Sequence, residues 1–409
     1  MNTGEWRWSL TGIVGGSLVI GVLPLAGVTA AAEDIVLGAA ISQTGKYARE
    51  GKFYVDAYTV AVEAVNRAGG VKVGGKTYPL VLKLYDDQSD PNLSVRLFTK
   101  LVTADKVNFL LGPYSSGITI PASAVAEKYE IPMIQGGGAS GKIFDRGYKY
   151  IFGTLPKAEF YFQSAIEAAA KMTPPVRTAA LLFSNEAFDR SVGEGARQWL
   201  KDAKVDKIYD EEYQPATQDF TSILAVIKAK NPDLILVAGH EENALNFIRQ
   251  AQAAGVSPRM MVFTVGPPTG DFRKTLGKAA EYVYGVTPWL PDMEIGGDIF
   301  KSARDFDKQF QARFGYGADY HVASGAADVL AFKAAIEKAQ SLDAKKVREA
   351  LTALDVETFY GRVKFESTGQ IAMSQVLVQI LDGKVVPVYV AGKFVNKPVY
   401  PTPKWTERK

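Results

Sequence analysis

From Glu33 onward, apolar runs of strand length alternate with amphipathic stretches of helix length, and this rhythm restricts the chain to α/β folds built on parallel sheets. Residues 35–40 read as a buried strand, and 53–67 as a helix with Val55, Val60, Ala61, Ala64 and Val65 on its apolar side. Residues 80–85 form the next strand. The following Asp86-Asp87-Gln88-Ser89-Asp90-Pro91 sets Asp90 to cap, and Pro91 to begin, a helix running to residue 103. Residues 109–111 and 133–134 continue the series. After residues 150–154 the rhythm restarts, with helices at 160–172, 187–201, 220–230 and 244–255 and strands at 178–183, 207–209, 234–238 and 260–264. Two successive series imply two parallel-sheet lobes, and 409 residues exceed one ordinary core. Beyond them lie helices at 299–313, 322–339 and 344–354, which read as returning to the first lobe. The β-like segments 376–381 and 385–390 read as a terminal hairpin on the second lobe. The tail at 393–409, with Pro398, Pro401 and Pro403, reads as extended and poorly packed.

Composition removes several function classes. The 47 basic and 44 acidic residues are scattered without a basic stripe, which argues against nucleic acid as a partner. There is no cysteine, so disulfides, thiolate catalysis, Cys-ligated zinc and a lipid-modified N-terminal cysteine are all excluded. The start of the chain has a single basic residue, Arg7, an apolar stretch over residues 10–28, and then Thr29-Ala30-Ala31-Ala32-Glu33. That order reads as a signal peptide over residues 1–32, cleaved near Ala32 or after Ala30. The alternative is an uncleaved anchor, against which Pro24 and the small-residue exit speak. An exported chain with neither lipid anchor nor further hydrophobic span is expected in the periplasm, or secreted.

Two neighbouring strand exits carry the chemistry. Leu110-Leu111 opens into Gly112-Pro113-Tyr114-Ser115-Ser116-Gly117, and Met133-Ile134 into Gln135-Gly136-Gly137-Gly138-Ala139-Ser140-Gly141. Hydroxyls, glycines and backbone N–H groups beyond the carboxyl ends of parallel strands suit a small polar ligand. Ser115 and Ser116 also begin a helix, where free N–H groups and the helix dipole favour a carboxylate, although a serine there also serves as a plain N-cap. The run Gly136–Gly141 formally matches G-x-G-x-x-G. It follows the fourth strand rather than the first and opens no long helix, so it reads as a ligand-approach loop or a sharp surface turn and not as a dinucleotide site. The histidines, His240 and His321, have neither metal nor triad spacing. His240 follows the strand at 234–238 directly, so it faces the site or caps the next helix. Neither serine sits in a G-x-S-x-G elbow, and the acidic Asp86-Asp87-Gln88-Ser89-Asp90 is accounted for as a helix start. No enzyme, cofactor or metal is expected.

As a set, in order and spacing, several segments resemble the periplasmic solute-binding proteins of the leucine/isoleucine/valine-binding type, which serve branched-chain amino-acid ABC transporters. They are Gly38-Ala39-Ala40-Ile41-Ser42-Gln43-Thr44-Gly45, Asn66-Arg67-Ala68-Gly69-Gly70, Tyr85 to Pro91, Gly112 with Ser115-Ser116 and Pro121-Ala122-Ser123, Ile131-Pro132-Met133-Ile134, Arg146-Gly147-Tyr148, and Ile248 to Gly255. The resemblance covers nearly the whole chain after the signal peptide. It implies the type I periplasmic binding protein fold, with two Rossmann-like lobes joined by a three-crossing hinge. Residues 33–153 plus 289–361 would form one lobe and 154–288 plus 362–392 the other, with crossings near 153–156, 287–291 and 360–363. It further implies a monomer that closes on its ligand and then meets a membrane permease driven by ATPase subunits.

Carried over residue by residue, Ser116 looks like the serine that holds the ligand carboxylate, flanked by Ser115, and Gly137 like the residue whose carbonyl meets an ammonium group. Gly138, Ala139 and Ser140 continue that loop. Tyr47 matches a first-lobe aromatic, and Phe188 and His240 fall where the family often has tyrosines. Two positions depart from the pattern. Ala139 stands where amino-acid binders commonly have threonine, and Val265 where they place an acid for the ammonium. A buried ammonium without a carboxylate costs several kcal/mol, on the order of 2–7 even for a neutral polar group. The expected ligand is therefore a small carboxylate lacking the α-amino group, aromatic or short aliphatic. The alternatives are a conventional amino-acid or amide binder, or a periplasmic sensor subunit.

Overall fold

The apolar runs assemble into two sheets. The computed structural model describes Met1 and residues 34–408, so the expected signal peptide, Met1 apart, lies outside the described residues. In the five-stranded sheet the order is Leu80–Asp86, Ile35–Ile41, Phe109–Leu111, Met133–Gln135 and Ile151–Gly153, with every pairing parallel. In the eight-stranded sheet, Asp206–Tyr213, Thr178–Ser184, Leu234–Ala238, Met260–Phe263 and Tyr284–Thr287 are parallel neighbours. The antiparallel strands Val376–Leu381, Lys384–Val390 and Lys393–Phe394 complete it. This is the α/β architecture expected from the alternation.

The strands read as unbroken apolar runs because both faces are covered. In Thr178–Ser184, Ala179, Leu181 and Phe183 join the large central core, while Ala180 and Leu182 join a separate core on the other face. Leu234 and Leu236 divide from Ile235 and Val237 in the same way, as the period of two requires.

Helix boundaries follow local chemistry where a cap is present. Asp90 accepts hydrogen bonds from Asn92 N at 2.7 Å and Leu93 N at 2.9 Å, and Pro91 begins the helix Pro91–Thr103. The first helix, Ala48–Arg67, starts earlier than residue 53 because its opening turn is charged and shows no apolar period. Gly51 in that turn packs so closely that a Cβ would fall 1.8 Å from Ser42 O. The hairpin of Val71–Val73 and Lys76–Tyr78 was not anticipated, its strands being too short for a pattern. The late helices Ala303–Phe314 and Tyr320–Ala339 pack on the first helix, as expected for helices returning to the first sheet.

The chain passes between the sheets after Gly153, after Thr287, and between Ile371 and Val376. The third passage corrects the expected position at 360–363. Gly361–Val363 instead pairs back on Val356–Thr358, and Gly153 exchanges backbone bonds of 2.9 Å with Gly369 and Ile371, which holds this segment beside the first sheet. The tail also differs from expectation. It is extended but anchored: Val399 N donates to Gln379 Oε1 at 2.9 Å, Trp405 Nε1 to Val256 O at 2.6 Å, and Arg408 lies over the Trp405 ring. A backbone N–H, an indole N–H and a cation over an aromatic ring make those contacts, so hydropathy gave no sign of them. No helix among the described residues is long and apolar enough to cross a membrane.

Candidate ligand-binding site

Carboxyl ends of strands from both sheets converge on one narrow cavity. Of the residues expected at the site, Ser116, Gly137, Ala139, Phe188, His240 and Val265 line it. Tyr114, Leu155, Tyr161, Tyr320 and His321 complete the wall. The cavity measures about 20 Å³, space for roughly one water, so a ligand of even a few carbon atoms enters only when these walls part.

Four further expected residues border the cavity. The Tyr47 ring lies 5.4 Å from Tyr114 and 5.0 Å from His240, and its hydroxyl donates to Glu186 Oε2 at 2.7 Å. Ser115 is the buried N-cap residue of the helix Ser116–Lys128. Ser140 Oγ lies 2.7 Å from Ser191 Oγ, which ties the glycine loop to the helix Ala187–Asp202. Gly138 adjoins the lining residues Gly137 and Ala139 in the chain, and a Cβ on it would meet Ile143 and Thr119 rather than the cavity.

The glycine loop's N–H groups are not presented as expected. Gln135, at the strand end, folds back so that its Oε1 accepts from Gly137 N at 3.0 Å and Gly138 N at 2.6 Å. Ala139 N and Ser140 N donate to Ser116 Oγ at 3.1 and 3.2 Å. With two N–H groups already bonded to its oxygen, the Ser116 hydroxyl keeps its own proton for the cavity, beside the unpaired amides of the helix's first turn. The glycines serve close packing instead: a Cβ on Gly137 would lie 2.3 Å from Pro113 O.

The family model for periplasmic binding proteins matches residues 34–384. The chain belongs to that family. It is 26% identical over 383 residues to Leu/Ile/Val-binding protein homolog 7 of Brucella abortus, covering 89% of this chain and 93% of the relative. Among solved structures it resembles the branched-chain amino acid transporter substrate binding protein LivJ of Streptococcus pneumoniae, in complex with isoleucine. That match has a TM-score of 0.78 at 21% identity and covers 86% of this chain and 98% of the other. It also resembles an ABC transporter solute-binding protein of R. palustris in complex with benzoate, with a TM-score of 0.77 at 20% identity, covering 89% and 98%. The fold is thus the type I periplasmic binding protein fold, and members of the family bind solutes.

In this binding protein His240 carries the cavity's charge. Its Nδ1 lies 2.8 Å from Tyr114 Oη, and its Nε2 is 3.1 Å from Glu186 Oε2, an ion-pair contact off the hydrogen-bond axis. Burial alone would push the imidazole down, but Glu186 and Asp189 outweigh it and raise it to about 9. At neutral pH His240 is an imidazolium whose Nδ1–H donates to Tyr114. For Glu186, burial acts upward, yet His240, Lys46 at 2.6 Å and Tyr47 hold it well below the usual carboxylate range. Asp189, fully buried behind them, is pushed up by burial to about 6. Ligand atoms of Glu186, Asp189 and His240 lie within 4.8 Å of one another, the spacing of a metal site. Within this trio His240 and Glu186 are paired at 3.1 Å, with the Asp189 carboxyl buried behind them.

Val265 is buried where amino-acid binders would carry an acid, and no Asp or Glu is among the residues lining the cavity. Of the residues missed from the sequence, Tyr114 lay inside the first strand-exit loop, so position alone marked it. Tyr320 and His321 had no such marker, since they begin a helix, Tyr320–Ala339, rather than follow a strand.

Proposed function

We propose that this protein is the substrate-binding component of an ABC importer, capturing a small carboxylate without an α-amino group by closing two lobes around it. The observation that carries the reading is the wall of the cavity, which offers Ser116, a helix N-terminus and the His240 imidazolium to an anion but no carboxylate to an ammonium. Tyr114, Tyr161, Phe188 and Tyr320 supply aromatic surface for the body of the acid. A structural relative with benzoate in its complex is consistent with such a ligand in this fold. Residues 33–153 with 289–371 would make one lobe, and 154–288 with the strands from Val376 the other. Binding in the cleft favours the closed form by population shift, and the closed form would dock on a membrane permease in the periplasm, driven by separate ATPase subunits. The protein would act as a monomer, with residues 1–32 removed on export.

A conventional amino-acid or amide ligand is the second reading. One observation favours it: Gly137 O accepts no hydrogen bond among the described residues and lies where an ammonium could donate to it. Calorimetric titration of the refolded protein separates the two. Micromolar binding of benzoate-like or keto acids, with leucine and valine weaker, supports the carboxylate reading, and the reverse order overturns it.

A further inference from the structure

Both histidines line the cavity, but only His240 makes a side-chain hydrogen bond among the described residues. His240 is hydrogen-bonded to Tyr114 through Nδ1 and has the Glu186 carboxylate 3.1 Å from Nε2 as an ion-pair contact. His321 is only 1% exposed, and neither ring nitrogen has a hydrogen-bond partner among the described residues. Its Nδ1 lies 3.3 Å from Asp319 Oδ1, but not along a hydrogen-bond axis, and that oxygen is already accepting from His321 N at 2.8 Å and Val322 N at 3.2 Å as the helix cap. The surrounding rings offer nothing in exchange. Phe53, Tyr54, Tyr114 and Tyr320 lie 5.8, 6.2, 5.8 and 3.9 Å from the imidazole. The Tyr54 hydroxyl is committed to Gly136 O, and that of Tyr114 to His240.

A buried imidazole with no partner is destabilising, a penalty that phenylalanine at this position would avoid. A group in the cavity that hydrogen-bonds the ring removes it. Resting on the carboxylate reading above, we infer that His321 is a specificity-determining residue, and that the ligand is an acid bearing a second polar substituent, a hydroxyl or oxo group, that hydrogen-bonds this imidazole. Ser116 and the free amides of its helix's first turn then hold the carboxylate beside the charge of His240, the aromatic walls hold the body, and His321 reads the substituent. Sites built to bond a substrate hydroxyl reject the analogue that lacks it, because the site's own polar group is left unpaired.

The test is calorimetric titration of the refolded full chain with matched acids: benzoate against its 3- and 4-hydroxy derivatives, and phenylacetate against 4-hydroxyphenylacetate. In the wild type the preferred hydroxy acid should bind about tenfold or more tighter than its parent. His321→Phe should abolish that ratio by weakening the hydroxy acid while leaving the parent unchanged or tighter, and His321→Gln, which keeps a donor and an acceptor, should preserve most of it. Thermal melting checks the fold of each variant. Should His321→Phe fail to fold, the wild-type ratio and His321→Gln decide. A wild type that favours none of the hydroxy acids overturns the inference, as does a His321→Phe variant that weakens parent and hydroxy acid alike, and in both cases the carboxylate reading stands. Binding of leucine with no acid bound removes that reading, and this inference with it.

Discussion

The Tyr47 hydroxyl donates to Glu186 Oε2 at 2.7 Å, joining the residue that precedes the first helix to the residue that caps Ala187–Asp202. One helix packs on the five-stranded sheet and the other on the eight-stranded sheet, so the bond crosses the cleft. Lys46 reaches the same carboxylate, and Arg49 bonds Glu241 at 2.7 Å beside it.

If the lobes open and close as proposed, these cross-cleft bonds form only in the closed state. Tyr47→Phe should therefore weaken ligand binding, chiefly through faster dissociation, by about 1–2 kcal/mol for a hydrogen bond to a charged group. Glu186→Gln should cost more, because it also leaves the His240 imidazolium without its counter-charge. Stopped-flow dissociation rates with calorimetric Kd values check this, and equal effects of the two substitutions would contradict it.

Ser116 supports a second expectation. Its oxygen organises Ala139 N and Ser140 N, and its proton is left for the ligand. Ser116→Ala removes a donor and frees two loop amides, so affinity should fall by about tenfold to a hundredfold, corresponding to ~1.4–2.8 kcal/mol. Melting temperature should fall modestly, because two buried amides lose their acceptor while the loop keeps its Gln135 bonds. A large loss of stability with unchanged affinity would mean that the serine is only structural.

The strands were legible in the sequence because burial on both faces makes them uninterrupted apolar runs, as in Leu234–Ala238. Helix starts were legible where the cap is local, as at Asp90. The start at Ala48 was hidden by Arg49, Glu50 and Lys52, which interrupt any apolar stripe: Arg49 reaches across to Glu241, and Lys52 bonds Asp56 on the same helix. Cavity-lining residues on strand exits stand out by position, as Ser116, Gly137 and His240 do, whereas Val265 is singled out only by the family resemblance. Gln135 and His321 matter because of partners far away in the chain, or the lack of them, and neither condition leaves a local pattern. The third crossing was misplaced for the same reason: Gly369 and Ile371 are held by Gly153, a long-range pairing that composition does not signal.

Stability should depend on pH through His240. Its proton is held more tightly in the folded chain than at the ordinary value of 6.5, so its contribution is fully present below about 6.5 and is lost as pH rises through about 9. Glu186 works in the opposite sense, contributing above its ordinary value of 4.5 and losing that contribution as pH falls. Glu241, raised to about 7 by burial against the pull of Arg49, and Asp189, raised to about 6, release their protons at lower pH. The decline between pH 7 and 9 therefore belongs to His240 and amounts to at most about 2–3 kcal/mol. Melting curves should fall by several degrees over that interval in the wild type and much less in His240→Asn. A flat wild-type profile would show that the imidazole is not protonated in the fold.

Val265 gives the most direct handle on ligand class. It is 2% exposed and lines the cavity beside Gly137, whose carbonyl has no partner among the described residues. Val265→Glu would add the anion that an α-ammonium needs, and with Gly137 O the pair would satisfy that group on two sides. Leucine or valine should then gain at least about tenfold in affinity, while a simple acid such as benzoate should lose more than that, since two carboxylates in one dry cavity repel and the new one must be desolvated. Thermal-shift and calorimetric titrations of both ligand classes against both proteins give four affinities, and the prediction is a crossing of preference. If the acid keeps its affinity in Val265→Glu, then Val265 does not face the ligand. If leucine already binds the wild type more tightly than any acid, the ammonium is met elsewhere, and Glu186, half-buried, or Glu50, buried, become the groups to substitute next.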